Sequence, residues 1–386
     1  MRILITFTYG VSLEKWFNTG IIYRELELYK RLSQKNVKYS LLTYGDLKDL
    51  NYAAILGDIK VIPVKKYITS KISHFKFLKT LILPIRLKHL FSRIDIIKTN
   101  QMEGILIACI AKLLFRKKLI VRCGYEWLRT YISNYKIKEN KNYIKYVLRY
   151  IWMYLIEFIS YKLADGIILT NSQDIHFIIK KFRLENKKDK IKLFYNFINT
   201  DLFKPLGLAK KDKTVLFIGR LTEMKNLFNL IKAFKGLNNF SLDIIGKGPL
   251  EGKLREIAKD HGVHINFLGI FPNNKLPEII NQYPIYILPS FYEGNPKTLL
   301  EVMSCEVACI GTDVLGINNI IRHEINGFLC DTNPESIKSA ILEVYKNKKL
   351  RDKISKNARK FILENCSLDL IARREYLFYK EILKGK

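Results

Sequence analysis

Acidic residues and histidine are scarce in this chain: 36 Asp and Glu stand against 66 Lys and Arg, and six His are spread over 386 residues. Asp-x-Asp occurs nowhere, so the usual carboxylate pair for a metal–diphosphate bridge is missing and no metal is expected. Cys-x-x-Cys is also absent. None of Cys109, Cys123, Cys305, Cys309, Cys330 and Cys366 clusters with His at metal-ligand spacing. Several sit in apolar runs, where Cys behaves as a small hydrophobe, and reduced thiols in a cytoplasmic protein are the expectation. No charge-free apolar stretch of about 18 residues appears, which excludes an ordinary transmembrane helix. The opening Met1–Phe7 run is too short for a signal peptide and reads as a first buried strand.

What the chain does have is positive charge. The formal net charge is +30, a field that draws a protein toward phospholipid, nucleic acid or phosphorylated substrates. No helix-turn-helix, zinc or RNA-platform motif accompanies it, so nucleic acid is not an expected partner. The stretch 59–94 contains no Asp or Glu. It interleaves Lys60, Lys65, Lys71, Lys76, Arg86 and Arg93 with Ile72, Phe75, Phe77, Leu83, Leu87 and Phe91. A basic, aromatic-bearing amphipathic segment suits an anionic membrane surface, each cation contributing about 1 kcal/mol there. The alternative is a helix packed on its own domain with a solvated lysine face.

Apolar residues make up 48% of the chain, enough for two cores, and strand and helix signals alternate along it. Strands are expected at Ile3–Phe7, Tyr39–Thr43, Ile94–Thr99, Leu119–Cys123, Gly166–Thr170 and Ile191–Tyr195, with helices between them. Ser172 is the expected cap of the helix Ser172–Phe182. Asn196–Asp212, with Pro205, Gly207 and a lysine run, reads as a linker. A second run follows, with strands at Thr214–Ile218, Ser241–Ile245, Ile265–Leu268, Ile285–Leu288, Ala308–Gly311 and Gly327–Cys330, and a last helix at Leu368–Leu383. Such alternation implies α/β architecture: two Rossmann-like, doubly wound parallel sheets facing a cleft. The expected domains are 1–205 and 206–366, followed by a C-terminal helix at 367–386. Ligands bind beyond the carboxyl ends of such strands.

Three loops at those ends carry chemistry. Phe217-Ile218-Gly219-Arg220-Leu221-Thr222-Glu223-Met224-Lys225-Asn226 joins a strand end, a Gly that permits close backbone approach, an Arg fork and a Lys point charge, a set suited to a diphosphate. Glu293-Gly294-Asn295-Pro296, followed by Glu301 on a helix, offers two carboxylates for sugar or ribose hydroxyls and amides near a helix start; Pro296 is expected as the first helical residue. Gly246-Lys247-Gly248-Pro249-Leu250-Glu251-Gly252 imitates a dinucleotide fingerprint, but its spacing is wrong for a nicotinamide site.

With these residues in view, the chain resembles the family-4 retaining glycosyltransferases of the GT-B fold, the glycosyl transferases group 1 of bacterial surface-polysaccharide synthesis. The resemblance covers about Thr214–Asp331, through Gly-Arg-Leu-x-x-x-Lys-Asn, the Gly-Lys-Gly-Pro turn, Phe-Leu-Gly and Glu-x7-Glu in order. It is weaker in the first half, where Trp16-Phe17-Asn18-Thr19-Gly20 looks like the family's first glycine loop. The resemblance also implies that the C-terminal helix returns to the first domain. It implies that Arg220 and Lys225 hold a donor diphosphate beside Gly219 and that Glu301 binds ribose. It further implies that Glu293 and the amides of Gly294 and Asn295 bind the donor sugar, that Ile270 and Phe271 meet the base, and that Gly20 approaches the phosphates. The implied reaction is metal-independent, retaining transfer of a hexose-type sugar from a nucleoside diphosphate sugar, with no other cofactor. The acceptor is a glycan or lipid-linked precursor of capsule or lipopolysaccharide type, met at the cytoplasmic face of the inner membrane. Only one Gly stands in the first loop, and acceptor-side candidates reduce to Arg122, Gly124 and Glu126. Other readings keep the same residues: a nucleotide-sugar epimerase, a glycan phosphorylase, or a basic membrane or nucleic-acid binding module with a vestigial sugar site.

Overall fold

The computed structural model describes residues 1–68, 79–137 and 143–385. The chain divides into one unit of Met1–Phe194 with Ile371–Lys386, and a second of Tyr195–Leu370.

In the first unit seven strands, β1 (Arg2–Thr6), β2 (Lys38–Thr43), β3 (Lys60–Pro63), β4 (Ile96–Thr99), β5 (Lys118–Cys123), β6 (Gly166–Leu169) and β7 (Ile191–Leu193), form one sheet in the order β3-β2-β1-β4-β5-β6-β7. Every neighbouring pair is parallel. Parallel strands covered on both faces are apolar nearly throughout, and β6 is buried at all its positions. One face carries Leu4, Ile97, Val121 and Leu169 into a core shared with Ala108, Met153 and Ile178 of the helices Ile105–Phe115, Tyr143–Leu163 and Ser172–Phe182. Side chains alternate along a strand, so Lys98, next to Ile97, points to the other face. There its Nζ donates to Glu375 Oε2 at 2.6 Å and to Tyr379 Oη at 3.0 Å, both on the helix Leu368–Lys384. The same helix places Phe378 and Ile382 against Gly166, where a Cβ would lie 2.6 Å from the Phe378 ring.

In the second unit β8 (Thr214–Ile218), β9 (Ser241–Ile245), β10 (Ile265–Gly269), β11 (Ile285–Leu288), β12 (Ala308–Thr312) and β13 (Phe328–Cys330) are ordered β10-β9-β8-β11-β12-β13. All are parallel. The strand order reverses direction between β8 and β11, the topological switch point at which doubly wound sheets open a crevice. Both units are therefore Rossmann-like, with helices such as Pro334–Lys346 and Lys348–Asn365 closing the second core through Ile341 and Ile354.

Several local features differ from the sequence reading. The helix Ser172–Phe182 is capped by Asn171, whose side chain accepts from Asp174 N, and not by Ser172. Pro296 is the N-cap in extended geometry, and the helix begins at Lys297. The expected linker is bound to the second unit: Phe197, Ile198 and Phe203 are buried, and Arg359 donates to the carbonyls of Thr200 and Phe203. The stretch 59–94 is not one surface helix. Its described parts include β3 and the short helices Leu83–Arg86 and Lys88–Arg93, with Leu83, Leu87 and Phe91 in the core, because apolar residues with a sheet beside them bury more area inward than outward. Lys71, Ile72, Phe75, Lys76 and Phe77 lie outside the described residues.

Candidate functional site

The loops after β8 and β11 flank the switch point of the second unit and are tied to each other. Phe291 N donates to Met224 O at 2.9 Å. Lys225 Nζ forms an ion pair with Glu293 Oε1, and Ser290 Oγ donates to the same oxygen at 2.6 Å. The two charged side chains are 18% and 13% exposed, so the pair is largely withdrawn from water while still reachable. Ser290 is itself fixed, because its carbonyl accepts from Thr312 Oγ1 at 2.5 Å. The carboxylate of Glu293 is thus held by two donors on Oε1 with Oε2 left over, a preorganised acceptor for a ligand hydroxyl. Lys225 ends a single 3-10 turn, and Asn226 follows in the left-handed region at φ 54° to start the helix Leu227–Ala233.

Arg220 lies two residues beyond β8 and is exposed. Among the described residues its guanidinium has neither a hydrogen bond nor an ion pair. With Lys225 compensated by Glu293, Arg220 supplies the uncompensated positive charge at this strand end, a fork free to take an anion. The loop that carries it is braced from β9. Gly219 N donates to Ile245 O at 2.9 Å, and Leu221 N donates to Lys247 O at 3.2 Å. Gly246 sits at φ 137°, and a Cβ there would lie 1.9 Å from the Gly219 carbonyl oxygen. The glycines of the Gly246–Gly248 turn are thus required for packing on the Gly219–Leu221 backbone.

The loop after β10 completes the set. Ile270 is 66% exposed, and Phe271 packs half-buried on the core. Two residues on, Asn273 Nδ2 donates to Glu301 Oε1 at 3.0 Å. Glu301, on the helix Lys297–Ser304, is buried and so reaches the Ile270–Asn273 loop from the neighbouring element. Gly294 and Asn295 stand just before the helix cap. Asn295 is also structural: its Oδ1 accepts from Asn196 N at 2.9 Å, and its carbonyl accepts from Asn196 Nδ2 at 2.7 Å. Arg220, Lys225, Glu293 and Gly219 therefore share one neighbourhood, while Glu301, Ile270 and Phe271 share an adjoining one. Ser290 and Asn273, which hold the two carboxylates, were not read from the sequence. Ser290 sits three residues before Glu293 in a turn, and Asn273 follows a Phe-Pro pair at a strand end, which are the local signals available.

In the first unit Gly20 ends the helix Leu13–Asn18. Its φ of 71° lets Ile21 N donate to Trp16 O, so a left-handed helix stop accounts for a glycine at this position. Arg122 Nη1 donates to Asn100 O, and Gly124 N donates to the Gln101 side chain. Glu126 does not face solvent: it is fully buried beside Glu157. Burial pushes the Glu126 carboxyl up to about 6, and burial together with the charge of Glu126 raises Glu157 well above the usual carboxylate range. Glu126 Oε2 accepts from Arg129 N, and Asp174 Oδ1 accepts from Arg129 Nη1, so Glu126 belongs to a packed structural network and is not available to an acceptor. Among the described residues no group of three or more His, Cys, Asp or Glu is placed to hold a metal ion.

Residues 199–361 match the family model described as Glycosyl transferases group 1. The chain is 30% identical over 212 residues to an uncharacterized glycosyltransferase of Methanocaldococcus jannaschii, covering 50% of this chain and 54% of that protein. It is 27% identical over 240 residues to the UDP-Gal:alpha-D-GlcNAc-diphosphoundecaprenol alpha-1,3-galactosyltransferase of Escherichia coli, covering 57% and 60%. The chain thus spans a little over half the length of each of these two relatives. Among solved structures it is similar to Anabaena HepE in complex with UDP, with TM-score 0.74 at 14% identity over 99% of this chain and all of that one. Two Rossmann-like units and this likeness along the chain define the fold as GT-B. Within it, the chain carries a group 1 glycosyltransferase domain over residues 199–361, and the Arg220, Lys225, Glu293 and Glu301 loops all lie in that domain.

Proposed function

We propose that this protein transfers a sugar from a nucleoside diphosphate sugar to a hydroxyl of a glycan or lipid-linked acceptor, with retention of anomeric configuration and without a metal. The observation that carries this reading is the joined loops at the β8/β11 switch point: Lys225 and Glu293 are paired, and Arg220 is left as an unengaged cation beside them. In this reading Arg220 and Lys225 take the diphosphate, and Glu293 with the amides of Gly294 and Asn295 takes the sugar hydroxyls. Glu301 takes the ribose, and the Ile270–Phe271 backbone meets the base. The bond between the anomeric carbon and the phosphate oxygen breaks as the acceptor oxygen bonds to that carbon on the same face. The acceptor's proton passes to the departing phosphate oxygen, and the two cations stabilise the charge that develops there. The E. coli relative's name carries a UDP-sugar donor and a diphosphoundecaprenol-linked acceptor, and the Anabaena structure holds UDP. These support a nucleotide-sugar donor and a lipid-linked acceptor met at the cytoplasmic face of the inner membrane, where a charge of +30 favours peripheral attachment.

The test is a thermal-shift panel of nucleoside diphosphate sugars followed by acceptor transfer assays. A donor at about 100 times its Kd should stabilise the native state by about 2.7 kcal/mol. Arg220→Ala and Lys225→Ala should abolish that stabilisation and lower turnover by about 10²–10³-fold. Variants that bind and transfer like the wild type would overturn the assignment. Turnover of donor alone to an isomeric sugar nucleotide would point to an epimerase instead.

A further inference from the structure

The helix Tyr143–Leu163 is 21 residues long and is amphipathic in an unusual sense. Its inward side holds Met153, Ile156 and Tyr161 in the first unit's core. Its outward side exposes Ile144, Leu148, Ile151, Trp152, Leu155 and Ile159, each between 48% and 73% accessible. At 3.6 residues per turn these six fall on one stripe that runs for about 22 Å. The only acidic residue in the helix, Glu157, is buried on the opposite side, so no negative charge interrupts the stripe. Monomeric soluble proteins rarely leave such a continuous apolar row in water.

Among the described residues the charges beside the stripe are predominantly basic, with Glu103 near Arg149 as an acidic neighbour. Lys145 and Arg149 flank it on the helix itself. Along its other side, Tyr154, Phe158 and Lys162 line an open hollow completed by Phe177, Lys180, Lys181, Phe182 and Arg183 from the end of the helix Ser172–Phe182. Lys181 Nζ stands 5.5 Å from the ring centres of Tyr150 and Tyr154, which keeps that charge beside the apolar surface. We propose that this helix face is the docking surface of the protein for an anionic phospholipid bilayer. The apolar stripe enters the headgroup–acyl boundary, Trp152 sits at the interface, and the cations of the hollow meet headgroup phosphates. A second copy of the chain is disfavoured as the occupant, because pairing this face with itself brings basic flank against basic flank. The inference rests on the peripheral-membrane part of the reading above and not on the donor site.

The test uses the full chain with vesicles of phosphatidylcholine, with and without phosphatidylglycerol. Sedimentation should show binding only to the anionic vesicles, weakening as salt rises from about 0.1 to about 0.5 M. Trp152 emission should shift to the blue on binding, and Trp152→Phe should remove that shift while Trp16 and Trp127 remain. The double variant Leu148→Asp/Leu155→Asp replaces exposed side chains, so its circular dichroism and thermal midpoint should match the wild type while vesicle affinity falls at least about tenfold. Wild-type protein that ignores anionic vesicles would overturn both this surface and the membrane part of the functional reading. Wild type that binds while the double variant binds equally would overturn this surface alone. So would a wild-type dimer that the double variant converts to monomer, because the face would then be covered by a second copy.

Discussion

Replacing Lys98 by Met isolates the energetics that attach the last helix to the first unit. Lys98 is fully buried and Glu375 is 2% exposed, with 2.6 Å between Nζ and Oε2 and the Tyr379 hydroxyl on both. A buried pair of this kind adds little net stability, because desolvation offsets the attraction. Removing one partner strands the other charge, at a cost of about 3–5 kcal/mol. Set against a total of roughly 5–15 kcal/mol for a domain, that is a large fraction. Taking roughly 2 kcal/mol per M as the urea dependence, the midpoint of Lys98→Met should fall by about 1.5–2.5 M. The double variant Lys98→Met/Glu375→Leu removes both charges and should return to within about 1 kcal/mol of the wild type. The three tryptophans of the chain, Trp16, Trp127 and Trp152, all lie in the first unit, so their fluorescence reports that unit alone. A Lys98→Met midpoint within about 0.5 M of wild type, or a double variant as unstable as the sum of the singles, would refute the reasoning.

Two further outcomes follow from the packing. Gly246→Ala forces a side chain onto the Gly219 carbonyl at a φ of 137°; the second unit should lose about 1–3 kcal/mol, read by circular dichroism, and donor binding should weaken as the Arg220 loop moves. The buried carboxyls Glu126 and Glu157 bind protons more tightly folded than unfolded, so their contribution is fully present below the unfolded value near 4.3 and is lost as pH rises through about 6 and above. First-unit stability from tryptophan fluorescence should therefore fall by on the order of 2 kcal/mol between pH 5 and 8, and Glu157→Gln should flatten that slope.

Much of the architecture is legible because a strand covered on both faces must be apolar along its whole length, and runs such as Thr214–Ile218 and Ile285–Leu288 satisfy that without ambiguity. The strand β3 escapes notice for the opposite reason: its four residues end in Pro63, and they lie in a lysine-rich stretch whose charge pattern suggests a surface helix. At the candidate site, the residue types and their place after strand ends can be read locally. The pairing of Lys225 with Glu293 and of Asn273 with Glu301 cannot, because it joins loops 68 and 28 residues apart and depends on which strands the sheet sets side by side. Glu126 fails for the same reason: nothing in Arg122-Cys123-Gly124-Tyr125-Glu126 announces that Glu157 will cover it.

The contact between Lys98 and Glu375 spans 277 residues of chain. Translation therefore produces the sheet of the first unit long before the helix that neutralises its buried ammonium group. Until residues 371–385 leave the ribosome, the part of that face around Lys98 and Gly166 lacks its cover, although the helix Ile22–Ser33 already packs beside it through Tyr29, and the second unit is fully synthesised in the interval. A premature stop between Leu370 and Glu375 would therefore release a chain whose second unit is complete while the first lacks the carboxylate that its buried ammonium group requires.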